Sequence, residues 1–210
     1  LAALKKRYPG AKLDFLVESP GAEAVAGHPA IDEILTYDAE GLFGALSWAL
    51  RIRARRYDCV VDFLANPRTA LITALSGAKV KAGPAHVARR WAYNLKLLQS
   101  KDTCYAALEK VRWLTALGVK PEDAPVLPRL HLAERGAPGN VVGFFPASRK
   151  VTRAWPPAAY ARLGKLLRQK HGSTVRVFWG PGEKDLARAI VADIGAGAEL
   201  APETRTVKEL

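Results

Sequence analysis

The chain has no methionine and only two cysteines in 210 residues. Cys59 and Cys104 lie far apart in apolar surroundings, YDCVVDF and DTCYAAL. That usage reads as two reduced core thiols of a cytosolic protein, not a disulfide framework. Four histidines, His28, His86, His131 and His171, are scattered without ligand spacing, so no metal site is expected. No apolar run approaches the roughly 18 residues of a membrane-spanning helix, and the opening LAALKKRYPG lacks a secretory signal pattern. Leu1 reads as the middle of a helix and VKEL at 207–210 as the start of another, so an internal fragment is expected. Hydrophobic residues at 49% and charged residues at 25% exclude a disordered chain and allow one or two domains.

Negative charge is outnumbered overall and absent over long stretches. The net charge is +12, four arginines fall between Arg51 and Arg56, and Phe63 to Lys101 holds seven Lys or Arg and no Asp or Glu. Such a surface attracts an anionic partner: nucleic acid, a phosphorylated glycolipid or an acidic membrane face. Nucleic acid is the weakest of these, because after Phe63 the acid-free stretch carries only Trp91 and Tyr93 for base stacking.

Short apolar stretches alternate with amphipathic ones, which predicts an α/β fold with a parallel sheet and right-handed crossovers. Strands are predicted over 12–19, 31–38, 57–64 and 79–84, with YDCVVDFL at 57–64 apolar enough for a buried parallel strand. Helices are predicted over 43–56, from Pro67 to Ser76 behind an Asn66-Pro67 start, and from Cys104 to Leu117 with Gly118 as C-cap. Residues 121–140 hold four prolines and two glycines and read as a linker. Beyond it come strand 140–146, helix 156–171, strand 174–180 and helix 183–195.

Ligands of such sheets bind beyond the carboxyl ends of the strands, which singles out three loops. FFPASRKVTRAWPP (144–157) places Ser148, Arg149, Lys150, Thr152 and Arg153 before a helix. It suits a diphosphate cradle, or equally a polar loop whose Trp155 packs on the sheet. FWGPGEKD (178–185) is not a dinucleotide fingerprint, because Asp185 stands where the third glycine belongs. Its Glu183 either caps its own helix or accepts hydrogen bonds from ribose hydroxyls. In DFLANPR (62–68), Asp62 reads as buried and structural. Arg68 is either an exposed helix arginine or the partner of an acidic group across a cleft.

The blocks RARRYDCVVDFLANPRTALITALSGAKVKAG, FFPASRKVTRAWPPAAYARL and FWGPGEKDLARAI, taken in order, resemble glycosyltransferase family 9, the bacterial ADP-heptose:lipopolysaccharide heptosyltransferases. The resemblance implies a GT-B architecture of two Rossmann-like domains facing a cleft, both truncated here. Residues 1–125 would form the acceptor-binding domain without its first strand, and 139–210 the nucleotide-sugar domain without its C-terminal part. It implies an inverting enzyme with no cofactor or metal, taking ADP-heptose as donor and a lipopolysaccharide core precursor at the inner membrane face as acceptor. A GT-B enzyme using another nucleotide sugar, such as a UDP-hexosamine, is the alternative within that fold. By the same resemblance Ser148, Arg149, Arg153 and Glu183 bind the donor, Arg153 stabilises the leaving diphosphate, and Arg68 faces the acceptor. The family's Gly-Asp motif, source of the catalytic base, would lie upstream of Leu1, and its Asp-Ser-Gly…His motif downstream of Leu210. On that implication the chain by itself catalyses nothing.

Overall fold

The computed structural model of the chain describes residues 1–100, 105–124, 139–148 and 150–204. It divides into two compact units, Leu1–Leu132 and Ala133–Leu210.

The first unit begins with α1 (Ala2–Arg7), β1 (Asp14–Glu18), α2 (Ser19–Val25) and β2 (Glu33–Tyr37). It continues with α3 (Gly41–Ala54), β3 (Cys59–Val61), α4 (Pro67–Leu75), β4 (Val80–Pro84), β5 (Leu95–Leu97) and α5 (Ala106–Trp113). β1 pairs with β2 from Asp14↔Glu33 to Glu18↔Tyr37, and β3, β4 and β5 pair in that order; all these pairings are parallel. α3 bridges the two sheets. Its Trp48, Ala49 and Ile52 form one cluster with Leu16 of β1, Leu35 of β2, Val60 of β3 and Ile72 of α4. Beneath that layer the amino-terminal ends of the strands are held by charge. Arg55, just past α3, grips Glu33 with two hydrogen bonds of 2.7 Å and lies 3.4 Å from the buried Asp14, to which the Tyr57 hydroxyl also donates. α1 is fastened to the far end of the same unit, where Tyr8 donates to the Leu117 carbonyl at 2.6 Å and Lys6 meets Asp123 at 2.6 Å.

In the second unit β6 (Val141–Phe144), α6 (Pro157–His171), β7 (Thr174–Val177), α7 (Lys184–Ile194) and β8 (Ala198–Leu200) form a parallel sheet ordered β6-β7-β8. Val175 and Val177 of the middle strand are fully buried against Ala161 of α6 and Ala187 and Ile190 of α7. The two helices approach closely at Gly164, where an added Cβ would lie 2.6 Å from Ile194 Cδ1.

Two expectations need correction. The 57–64 run is strand only over Cys59–Val61 and none of those three residues is buried, because β3 is the end strand of its sheet and its other edge is unpaired among the described residues. For the same reason Cys59 is an exposed free thiol, not a core one. Cys104, His131, Arg149 and the helix expected from 207 lie outside the described residues. The predicted helix ending at Leu117 is α-helical only to Trp113 and closes with a 3-10 turn over Leu114–Leu117, after which Gly118 takes φ +73° as the C-cap reading requires. No helix of the described residues is long and apolar enough to cross a membrane.

Candidate functional site

The carboxyl ends of β6 and β7 carry the predicted loops of the second unit. β6 exits through Phe145 and Pro146 to Ser148, whose exposed Oγ accepts a 3.3 Å hydrogen bond from the Lys150 amide. Residues Val151–Arg153 then form a 3-10 turn, with the Arg153 amide donating to the Lys150 carbonyl at 2.9 Å. Arg153 is exposed, and among the described residues no carboxylate pairs with it. α6 starts at once, with Pro156 as N-cap and Pro157 in its first turn. No side chain caps it and no acidic residue stands in its first turn. Pro156 and Pro157 have no amide hydrogen, and the Ala159 and Tyr160 amides already donate to the Pro156 carbonyl at 2.9 and 3.3 Å. The Ala158 amide and the positive end of the helix dipole are what this end offers, beside Ser148 and two exposed cations, Lys150 and Arg153. Such a helix end accepts an anion.

Aromatic rings stiffen this edge. Phe145 stacks on Phe178, the residue after β7, with centroids 4.6 Å apart and planes 8° apart. Tyr160 of α6 donates to the Phe145 carbonyl at 3.2 Å. Trp155 does not pack on the sheet, as one reading of this loop expects: it is half exposed and meets Tyr160 edge-on at 5.0 Å.

β7 leads through Phe178 and Trp179 to Gly180. Trp179 is pinned by its indole N–H to the Ala201 carbonyl at 2.9 Å and lies under Lys184 Nζ at 4.6 Å. Glu183 stands at the N-cap of α7 but caps nothing with its side chain. Its Oε2 turns back to accept from the Gly180 amide at 2.8 Å, while its own amide donates to the Gly180 carbonyl at 3.0 Å. The capping expectation therefore fails. The carboxylate is held in the strand-end loop by one oxygen, and among the described residues Oε1 has no hydrogen-bond donor.

In the first unit Asp62, 5% exposed, organises the turn after β3. Its Oδ1 accepts from the amides of Leu64 at 3.0 Å and Ala65 at 2.8 Å, and its Oδ2 from the Tyr93 hydroxyl at 2.9 Å. Arg89 Nε holds the Ala65 carbonyl at 2.9 Å and Lys110 Nζ the Phe63 carbonyl at 3.1 Å, while Asn66 caps α4 by accepting from the Thr69 amide. The Tyr93 ring fits only because residue 83 of β4 is glycine, where a Cβ would lie 2.5 Å from the ring. This frame sets the first turn of α4 and hence Arg68, which is neither free nor unpartnered. Its guanidinium pairs with Glu18 at the end of β1 at 3.0 Å and lies 5.3 Å from the centre of the Tyr37 ring at the end of β2. The arginine thus lies at the carboxyl ends of β1 and β2 on a carboxylate that an acidic ligand would have to displace. Sequence reading missed Tyr93, Arg89, Lys110 and Glu18. Only Glu18, a carboxylate directly at the end of an apolar strand, gave a local signal.

No group of three or more His, Cys, Asp or Glu that would hold a metal ion occurs among the described residues. The strand-end loops instead offer cations, hydroxyls, a helix start and single carboxylates, the means of holding a phosphorylated, hydroxylated ligand.

The chain is 23% identical to lipopolysaccharide heptosyltransferase 3 of Escherichia coli strain K12 over 97% of its own length and 64% of that protein's. A second Escherichia coli protein of that description is 25% identical over 97% and 65%. The chain thus spans about 65% of the length of these curated relatives. Among solved structures, a family 9 glycosyl transferase from Veillonella parvula superposes with a TM-score of 0.79 at 18% identity, covering 94% of this chain and 62% of that one. The Escherichia coli heptosyltransferase WaaC with ADP-2-deoxy-2-fluoro heptose superposes at 0.77 and 20% identity, covering 99% and 72%. These likenesses show a shared GT-B fold of α/β units with parallel sheets. The sequence model of glycosyltransferase family 9 (heptosyltransferase) matches residues 46–207, from the middle of α3 to beyond β8 and so across both units, and the chain belongs to that family.

Proposed function

We propose that this chain is part of an inverting, metal-independent glycosyltransferase that moves heptose from ADP-heptose to the lipopolysaccharide inner core. The observation that carries the reading is the uncapped amino terminus of α6, with Ser148, Lys150 and Arg153 beside it at the end of β6. A sugar-linked diphosphate placed there meets the positive end of a helix with its Ala158 amide, a hydroxyl and cations without a metal ion. In a single displacement, charge grows on the departing diphosphate as a carboxylate base removes the acceptor's proton. The Arg153 guanidinium interacts more strongly with that growing charge than with the ground state and so speeds the step. Arg149 adds charge to the same loop. Glu183, held by the Gly180 amide through Oε2, offers Oε1 to a ribose hydroxyl. The second unit is thus the donor side. The first, with Arg68 and its acid-free basic stretch, is the side for an acidic, lipid-borne acceptor on the cytoplasmic face of the inner membrane.

The test is calorimetric titration of the 210-residue chain with ADP, UDP and inorganic diphosphate, followed by a transfer assay with ADP-heptose on a protein carrying the full length of its relatives. ADP bound at least tenfold more tightly than UDP, with transfer that persists in chelator, supports the reading. Preference for UDP moves the donor to another nucleotide sugar, and transfer that stops in chelator overturns the metal-independent mechanism.

A further inference from the structure

The outer face of α3 is unusual for a helix of this length. Ala45, Trp48, Ala49 and Ile52 bury its inner face. Phe43, Ser47, Leu50 and Ala54, spaced four, three and four apart, line the opposite face and are all exposed. Phe43 is 87% exposed and Leu50 69%. Large apolar side chains gathered in one strip mark an interaction surface, whereas scattered ones do not.

Charge says what it meets. From Gly41 to Arg56 there are four arginines and no acid. Arg55 is consumed by Glu33, but among the described residues no carboxylate pairs with Arg51, Arg53 or Arg56. Arg51 and Arg53 are exposed on either side of the apolar strip; Arg51 reaches over the Trp48 ring at 5.0 Å. At the end of the helix Arg53, Arg56 and Lys79 line a shallow cleft of about 340 Å³ in which Asp58 is the one carboxylate. Lys79 also has no carboxylate partner among the described residues. An apolar strip flanked by arginines is the pattern of a helix lying in a lipid interface, its apolar side chains among acyl chains and its cations among phosphates. A second copy of the same face would set these arginines against one another, and the strip has one aromatic ring where nucleic-acid stacking asks for several.

We infer that the outer face of α3, with the cleft at Arg53, Arg56 and Lys79, docks on an anionic lipid surface. The inference deepens the proposal of a lipid-borne acceptor by naming the surface that meets the bilayer, and vesicles without acceptor or donor test it apart from heptose transfer.

The experiment is co-sedimentation of the 210-residue chain with phosphatidylcholine vesicles, with and without about one-third phosphatidylglycerol, near 0.1 M salt where the screening length is about 10 Å. The expected result is binding to the anionic vesicles, weakened at least tenfold in Phe43→Ser/Leu50→Ser and in Arg51→Gln/Arg53→Gln. Leu98→Ser, a change at an equally exposed leucine elsewhere in the unit, should leave binding intact, and circular dichroism should show all variants folded. No binding overturns the inference. So does binding that the apolar pair leaves unchanged, which net charge alone would explain. Tighter binding to duplex DNA, or a dimer that the same variants dissolve, assigns the face to another partner and overturns it as well.

Discussion

Tyr93 and Asp62, 31 residues apart, share a buried 2.9 Å hydrogen bond in which the phenol donates to the carboxylate that shapes the turn ahead of Arg68. Three donors converge on Asp62, so removing it strands a hydroxyl and two turn amides at once. Asp62→Ala should cost about 2–4 kcal/mol of stability, as expected where buried donors lose their partner. Asp62→Asn keeps an oxygen for the amides and presents an NH₂ to a hydroxyl that can rotate to accept. It should cost less than half as much in urea unfolding, and equal losses would mean that the negative charge, not the bonding, holds the turn.

The same hydroxyl contributes to behaviour at high pH. Burial, followed by the nearby Asp62 carboxylate, pushes the Tyr93 phenol well above its ordinary range. Burial and the bond to Asp14 push Tyr57 up to about 12. A phenol whose pKa is higher folded than unfolded contributes stability that is full below pH 10 and is lost as pH rises through the folded value. Thermal stability should therefore fall between about pH 10 and 12 more steeply in the wild type than in Tyr57→Phe/Tyr93→Phe. Parallel curves for the two proteins would rule out these phenols as the cause.

Packing of the second unit depends on Gly164. A Cβ there would meet Ile194 Cδ1 at 2.6 Å and Cγ1 at 2.8 Å, and Ile194 is itself buried. Gly164→Val should destabilise the unit by about 1–3 kcal/mol through overpacking. Shortening the neighbour with Ile194→Val in that background should recover part of the loss. If the double variant is no more stable than the single, the helices adjust elsewhere.

The alternation of apolar and amphipathic stretches was enough to read the α/β class, the parallel strands and most helices, because periodicity and caps such as Asn66-Pro67 are local. β5 and β8, three residues each, were too short to show a period, and α2 starts directly on the end of β1. Cys59 was misread because its exposure depends on which strand lies beside β3, a non-local fact. At the candidate site the residue types were legible and their partners were not. Glu183 bonds Gly180 rather than capping α7, and Arg68 bonds Glu18 from 50 residues away. The choice between a bland and a functional role for each turns on such contacts.

Glu183 offers a test of the donor side that does not need turnover. Glu183→Gln keeps an oxygen for the Gly180 amide but loses the negative charge that strengthens a bond from a ribose hydroxyl. It should weaken ADP binding roughly tenfold, a loss of about 1.4 kcal/mol, while binding of inorganic diphosphate stays unchanged. Gly180→Ala should act the same way by another route, since its Cβ would lie 3.1 Å from Glu183 Oε2 and push the carboxylate aside. If diphosphate binding falls in parallel, Glu183 shapes the loop and does not contact the nucleoside.

Arg153 is tested by separating binding from rate. It is exposed at the end of a 3-10 turn with no carboxylate partner among the described residues, so replacing it removes charge without stranding a buried group. In a protein carrying the full length of the family, Arg153→Ala should lower kcat roughly 100-fold, the scale seen when one fixed donor is removed from a developing anion. The KM for donor should change by much less, because a leaving diphosphate carries more charge in the transition state than in the ground state. Arg153→Lys should recover part of the loss, since it restores the charge but not the two-toothed grip. A raised KM with unchanged kcat would make Arg153 a general donor anchor, and the charge that speeds departure would have to come from Arg149, Lys150 or the dipole of α6.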